Sequence, residues 1–373
     1  MKYYLVAGEA SGDLHGANLM HALKEVDPQA QFRFFGGDKM LAEGGDLVKH
    51  YAEMAFMGFL EVVTNLRTIK KNMAACKKDI TAWQPDVLVL IDFPGFNLRI
   101  AEYAKTEGIL VCYYISPKVW AWNQKRVVKI KRIVDHLFCI LPFEVDFYKN
   151  WDMKVDYVGN PLLDAISAFK PDVAFNQKYN NADKKIIALL PGSRKQEISR
   201  LLPNMLAAAK NFPDYRFIVA GAPSFNLSYY EQFLNNSSIP VVFDGTYDLL
   251  NNAYAALVTS GTATLETAIF KVPQVVLYKG GTVSVTIARA LVKIKFISLV
   301  NLIVNKKIVT ELIQADCNIE AITSELEKIT SNKTGRRQML DEYDALLEKL
   351  GKPGASQRTA VLIVKYTAQK KAT

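Results

Sequence analysis

The chain has only four cysteines and four histidines among 373 residues. Cys76, Cys112, Cys139 and Cys317 form no CxxC pair and sit in apolar stretches, which argues against a disulfide framework and for a reducing compartment. His15, His21, His50 and His136 make no HxH or HxxxH pair beside a carboxylate, so no intrinsic metal site is expected. No segment joins membrane-spanning length to freedom from charge: the best candidate, Ser284 to Val304, carries Arg289, Lys293 and Lys295. The amino terminus, MKYYLVAGEASGD, has too short an apolar run for a signal peptide or anchor. There is no fixed-period repeat, low-complexity tract, GxGxxG fingerprint or P-loop GK[ST]. A soluble cytoplasmic chain is the expectation.

What is present is globular: 50% of residues are apolar and 22% charged, at a length suited to about two domains. The net charge is +9, and all of the excess falls after residue 168. That bias suits an anionic ligand or surface for the second half, although a solvated basic face produces the same imbalance. Short β-rich runs alternate with helical periodicity from Lys2–Ala7 onward. Runs such as VLVLI at Val87–Ile91 read as strands buried on both faces, hence as a parallel, doubly wound sheet. The pattern falters over residues 168–184, read as a linker, and restarts at Lys185–Leu190. The expectation is two Rossmann-like α/β domains, 1–168 and 185–350, facing a central cleft, with a helical carboxyl-terminal tail over 351–373. That tail packs either on the first domain or on a partner, which leaves a homodimer open.

Four turns carry the candidate chemistry. After the first strand, VAGEASGD presents Gly8, Glu9, Ser11 and Gly12 at a helix start suited to a polar or anionic ligand group. Small residues are also what any first βα turn needs. VLVLID ends on Asp92, a carboxylate at the carboxyl end of a buried strand, where burial would raise its pKa as a general base needs. The alternative is a helix cap, for which Asn97 is better placed. In ALLPGSRKQE, Gly192 and the amides of Ser193 and Arg194 form a phosphate-sized cradle, with the Arg194 guanidinium as its positive charge. TSGTATLE repeats the pattern with Ser260, Gly261 and Thr262, and Glu266 is spaced to reach ribose hydroxyls. One such turn is a weak signal; two at strand ends of one half-chain are a stronger one.

Three segments have an apolar or basic character that admits a lipid reading. Lys118 to Arg132 (KVWAWNQKRVVKIKR) has no acidic residue and pairs Trp120 and Trp122 with Lys125, Arg126 and Lys129, a composition suited to an anionic membrane interface. Ordinary amphipathic packing explains the same pattern. It is the preferred explanation for Ser284 to Val304 and for Met54–Val63.

Together VAGEASGDLHG, IDFPGFN, SPKVWAWNQKR, LPFE, LLPGSR, SGTATLE and ISLVNL resemble the lipid-A-disaccharide synthase family, in its order and over nearly the whole chain. The resemblance implies a GT-B-type, inverting, metal-independent glycosyltransferase needing no cofactor. Its substrates would be UDP-2,3-diacylglucosamine and 2,3-diacylglucosamine 1-phosphate, joined β-1,6 with release of UDP at the cytoplasmic face of the inner membrane. It places the base on Asp92 and further catalytic roles on Arg194 and Asn301. Three positions depart from the family pattern: Lys118 stands where Ser is common, Asn160 where His is common, and Val300 where Pro is usual. Another UDP-sugar enzyme of the same build, whether a different glycosyltransferase or a 2-epimerase, is the nearest alternative. A non-catalytic nucleotide-sensing protein is the next, and nucleic-acid binding lacks any supporting motif.

Overall fold

The computed structural model describes residues 1–54, 66–180, 184–234, 237–280 and 295–372. The chain divides into two compact units: Met1–Asp164 together with the chain from Lys352 onward, and Ala165–Gly351.

The first unit is built on seven strands, β1 (Lys2–Ala7), β2 (Gln31–Gly36), β3 (Asp46–His50), β4 (Val87–Ile91), β5 (Leu110–Tyr114), β6 (His136–Cys139) and β7 (Asp156–Tyr157). All pair in parallel, in the order β3-β2-β1-β4-β5-β6-β7. Period-two alternation sorts the strand side chains between two cores. Tyr4, Val6, Leu88, Leu90, Val111 and Tyr113 pack against the helices Leu66–Trp83 and Pro94–Thr106. Tyr3, Leu5, Val87, Val89, Ile91 and Tyr114 pack against the helices Ala10–Val26 and Ala355–Lys371. Both faces are covered, so β4 and β5 are buried throughout, as their unbroken apolar runs require.

The second unit has six parallel strands, β8 (Lys185–Leu190), β9 (Tyr215–Gly221), β10 (Val241–Phe243), β11 (Ala253–Thr259), β12 (Gln274–Tyr278) and β13 (Thr310–Ile313), ordered β10-β9-β8-β11-β12-β13. Each sheet reverses its winding once, between β1 and β4 in the first and between β8 and β11 in the second. The helices after those strands leave on opposite faces, opening a crevice at the carboxyl ends of the pair, where open α/β sheets bind ligands. Asp92 follows β4, and Ser193 and Gly261 follow β8 and β11.

The carboxyl-terminal helix Ala355–Lys371 belongs to the first unit through specific contacts. Asp164 accepts from the amides of Gly354, Ala355 and Ser356 at 2.5, 3.1 and 3.0 Å, neutralising the helix start. Arg358 donates through Nε to the Val158 carbonyl at 2.8 Å, and its guanidinium lies over Gly159. A Cβ on Gly159 would stand 2.4 Å from Arg358 Nη2, and its φ of +85° independently favours glycine.

The stretch read as a linker is partly folded. Phe175–Tyr179 is helical, Phe175 is buried in the second unit's core, and the Asp172 amide donates to Asp248. Strands β3 and β13 lie at sheet edges with mostly half-buried residues, so their sequences, DLVKH and TELI, lack the apolar run that marks the central strands. Among the described residues no helix is long and apolar enough to cross a membrane. Residues 55–63 of the Met54–Val63 stretch and residues 284–294 of the Ser284 to Val304 stretch lie outside the described residues.

Candidate active site

In the first unit the site is organised around the turn after β4. Asp92 and Phe93 both take left-handed backbone conformations, with φ of +44° and +47°, uncommon for residues with a side chain. Three contacts hold Asp92 there. Its amide donates to the Tyr114 carbonyl at 3.1 Å, and its carbonyl accepts from Asn97 Nδ2 at 2.8 Å and from the Tyr113 hydroxyl. Asn97 is therefore a clamp rather than the expected helix cap. Its buried amide also reaches the carbonyls of Val6 and Ile91, joining the ends of β1 and β4. The cap position is Phe93, followed by Pro94, whose missing N–H costs nothing at a helix start.

The Asp92 carboxyl is raised above the usual aspartate range by burial; the Lys118 ammonium and the Phe93 amide oppose that shift. No ion pair to it is present among the described residues. Lys118 is exposed and begins the short helix Val119–Trp122, after the turn that leaves β5.

The residues after β1 divide by role. Gly8 is demanded by packing, since a Cβ there would fall 2.2 Å from the Phe93 ring. Gly12 sits tightly on Ala7, and a Cβ would meet the Ala7 Cβ at 3.2 Å. Both glycines thus have a structural reason, while Glu9 is half-buried and Ser11 exposed. Asp13 is a structural anchor, accepting from the amides of Gly37, Lys39 and Met40 at 2.7, 3.1 and 3.1 Å. His15 is pushed down to about 4 by burial, against an opposing effect from Asp164, and its Nδ1 has no hydrogen-bond partner among the described residues.

In the second unit Gly192 has φ of +111°, and a Cβ there would stand 2.4 Å from Glu197 Oε2. The same Oε2 accepts from the amides of Ser193 and Arg194 at 3.2 and 3.3 Å. The cradle foreseen for a phosphate is thus occupied by an internal carboxylate, the reaching-back Glu of a capping box. Glu197 falls three residues after Arg194, the sequence spacing of such a box. The Arg194 guanidinium is exposed and lies 3.6 Å from Glu197 Oε1. Gly261 differs from Gly192. Its φ of 166° is open to any residue, and a Cβ would meet nothing within 4 Å among the described residues. Packing gives no reason for glycine there, which suits close approach of a ligand. Thr262 is exposed and begins the helix Thr262–Ile269. Ser260 donates to the Ile297 carbonyl at 2.9 Å, and the half-buried Glu266 is raised by desolvation while accepting from the Tyr247 hydroxyl at 3.2 Å.

Residues 3–364 match the sequence model of the lipid-A-disaccharide synthetase family. The chain belongs to that family. It is 40% identical over 366 residues to the lipid-A-disaccharide synthase of Syntrophus aciditrophicus, covering 96% of each chain. It is 36% identical over 363 residues to that of Myxococcus xanthus, covering 95% of each. The fold is shared with UDP-GlcNAc 2-epimerase from Neisseria meningitidis (TM-score 0.72, 13% identity, 98% of this chain and 100% of that one). It is shared also with the calicheamicin glycosyltransferase CalG4 (TM-score 0.61, 14% identity, 98% of each chain).

Two groups of expected residues, Asn301 from the family motif and the basic tryptophan segment from composition, make contacts within the protein. Asn301 is fully buried with every amide group used. Nδ2 donates to the Val309 carbonyl and Glu311 Oε1, both at 2.9 Å, and Oδ1 accepts from the amides of Ile308 and Val309 at 2.7 and 3.0 Å. These bonds make it a tie between its helix and β13. Glu311, which also accepts from the Ile297 amide, the Ser298 amide and the Ser298 hydroxyl, completes that knot. No local spacing announces it. Val300, in the place of the usual proline, is itself buried. Asn301→Ala removes four hydrogen bonds, two of them fully buried, and is expected to destabilise the second unit by about 2–4 kcal/mol. Thermal unfolding should show the loss, while UDP affinity of the protein still folded at low temperature stays near wild type.

The membrane candidates are for the most part engaged within the first unit. Trp120 is only 7% exposed, packs edge-on against Phe143 at 4.9 Å and donates to Glu144, so its ring is committed to the interior. Lys129 and Arg132 share Glu102 at 2.8 and 3.1 Å, and Arg126 also has an interaction partner. Of the expected set Lys125 remains exposed, near Val128 at 64% exposure; the Trp122 side chain lies outside the described residues. Asn160, at the position where the family often has histidine, caps the helix Pro161–Ser167, accepting from the Leu162 amide at 3.0 Å.

Proposed function

We propose that the chain joins UDP-2,3-diacylglucosamine to 2,3-diacylglucosamine 1-phosphate through a β-1,6 linkage and releases UDP. The observation that carries this reading is Asp92: a carboxyl raised by burial, held by a strained turn at the winding reversal of its sheet, in a chain of this family. Asp92 takes the proton of the acceptor 6-hydroxyl as that oxygen attacks the anomeric carbon from the face opposite the diphosphate. The new carbon–oxygen bond forms as the bond to the diphosphate breaks, which inverts the anomeric centre. Negative charge then grows on the departing UDP. Exposed Arg194 supplies a positive charge for it, and the bare backbone at Gly261 allows close approach. We assign no metal a part in this step, because Arg194 provides the charge neutralisation that a cation gives in other phosphate-leaving reactions. The diacyl substrates place the enzyme at a membrane surface, and Lys125 beside exposed Val128 supports contact at the cytoplasmic face of the inner membrane.

The test is a product assay with both diacylated sugars in excess EDTA. The expected outcome is disaccharide and UDP in equal amounts, at a rate unchanged by the chelator. Epimerised but unjoined sugar would instead identify the alternative chemistry, and loss of turnover on chelation would overturn the metal-free step.

A further inference from the structure

The reaction as proposed uses little of the basic excess of the second half, and part of that excess surrounds a cavity. At the amino-terminal end of β9 a cavity of about 640 Å³ opens between the helix Lys195–Ala209, the start of β9 and the chain after the helix Leu227–Leu234. Small-molecule sites occupy about 300–1,000 Å³. Strand β8, six residues long, separates this end of the sheet from the turn that carries Arg194, which places the cavity about 20 Å from that turn. The body of the cavity is apolar: Leu206 and Phe217 are buried, and Phe212, Phe233, Leu234 and Ile239 half-buried. Lys178, Lys184, Lys210 and Arg216 also line it, and its described lining includes no carboxylate. Neutral groups hold three of these cations. Lys184 Nζ donates to the Pro213 carbonyl at 2.6 Å, Arg216 Nε donates to the Tyr179 carbonyl at 3.0 Å, and the Lys178 ammonium lies 5.0 Å from the centre of the Tyr179 ring. Elsewhere in the same unit Lys271, Lys306 and Lys328 meet the carboxylates of Asp344, Glu342 and Glu325, whereas none of the four cavity cations is in an ion pair among the described residues. Charges fixed in position without a paired carboxylate are what an anion site requires.

We propose that this cavity is a second ligand site, separate from the reaction centre, for a single acyl chain with an anionic head: the chain lies in the apolar body and the carboxylate or phosphate meets Lys184 and Arg216. The lining chemistry selects this class over two others. An inorganic anion would leave the aromatic and aliphatic surface uncovered. A nucleotide needs amide or carboxylate partners for its base edge and ribose hydroxyls, and the described lining offers no Asn, Gln, Asp or Glu side chain. An acyl chain needs no such partner and gains with each methylene it buries. The aliphatic stems of the lysines and of Arg216 extend the apolar wall outward while their charged ends meet the head group. The site shares no residue with Asp92, Arg194 or Gly261, so it stands or falls apart from the catalytic reading.

The experiment is a calorimetric titration of the full chain with dodecyl phosphate below its micelle-forming concentration, with methyl NMR of Leu206, Leu234 and Ile239 to place the probe. Dodecyl phosphate should bind and shift those methyl signals, while octyl phosphate, dodecanol and inorganic phosphate should each bind at least about tenfold more weakly. Replacing both cations, Lys184→Met with Arg216→Met, should weaken dodecyl phosphate by about tenfold or more. Ala207→Phe puts a ring into the cavity from the helix Lys195–Ala209 and should abolish the methyl shifts, with UDP affinity unchanged. Should Ala207→Phe fail to fold, as thermal unfolding would show, the double variant decides, since Lys184 is exposed and Arg216 half-buried. Binding and methyl shifts that persist undiminished in the double variant would overturn the proposal. So would dodecanol binding as tightly as dodecyl phosphate, displacement of the probe by uridine monophosphate, or binding seen only with anionic phospholipid vesicles and never with the monomeric probe.

Discussion

Asp92→Asn is expected to lower kcat by about 10²–10⁴-fold, with UDP affinity within about twofold of wild type. Asparagine suits this test for structural reasons. It is among the few residues with a side chain that tolerate the left-handed conformation found at position 92, so the turn should keep its shape. The backbone bonds to Tyr114, Asn97 and Tyr113 do not involve the carboxylate and survive the change. What is lost is the ability to hold a proton taken from the acceptor. Stability should move the other way. Burial raises the Asp92 pKa, so the folded state binds that proton more tightly than the unfolded chain. The ionised carboxylate therefore costs stability, and the cost appears as pH rises from the unfolded pKa through the folded one. A neutral asparagine removes it, so the melting temperature at neutral pH should equal or exceed that of wild type. Near-normal turnover in this variant would remove Asp92 from the mechanism. Glu9 and His15 would then be the groups to test, but not Asp13, whose oxygens are engaged by three amides.

Wild-type activity should accordingly rise with pH through a limb above the usual aspartate range. The buried surroundings of Asp92 hold that limb up, and Lys118 limits how far.

The parts of this molecule that sequence makes legible are those whose cause is local. Unbroken apolar runs such as VLVLI require burial on both faces, and β4 has it; the turn residues after β1, β4, β8 and β11 require a strand before and a helix after, and each has both. The edge strands β3 and β13 were not legible because pairing on one side leaves composition loosely constrained. The site residues separate along the same line. That Asp92 ends a strand is a local fact. That Asn301 spends its whole amide on Val309, Ile308 and Glu311, or that Trp120 gives its indole to Glu144, depends on partners brought in by the fold. A motif marks a position as constrained without saying whether a substrate or the fold imposes the constraint. Gly192 and Gly261 show the difference within one unit: the first is explained by its φ and by Glu197, the second by neither.

Arg194→Met is expected to lower kcat/KM by about 10²–10³-fold, most of it in kcat, with a smaller loss of UDP affinity. Methionine keeps much of the side-chain length while removing the charge and the planar donors. The fold should hardly notice, because the guanidinium is exposed and its ion pair with Glu197, three residues along the same helix start, is of a kind worth at most about 0.5 kcal/mol. The cap also survives, since it is the Arg194 backbone amide, not the side chain, that donates to Glu197. Lysine should recover part of the rate: it restores the charge but not the fork that grips two phosphate oxygens at once. The division between kcat and affinity carries the mechanistic content. Charge on the diphosphate is already present in the bound donor and increases as the glycosidic bond breaks, so a group aimed at the leaving oxygens stabilises the transition state more than the ground state. Should Arg194→Met weaken UDP binding tenfold or more and leave kcat intact, the guanidinium would be a handle for the nucleotide alone. The leaving group would then need another source of positive charge.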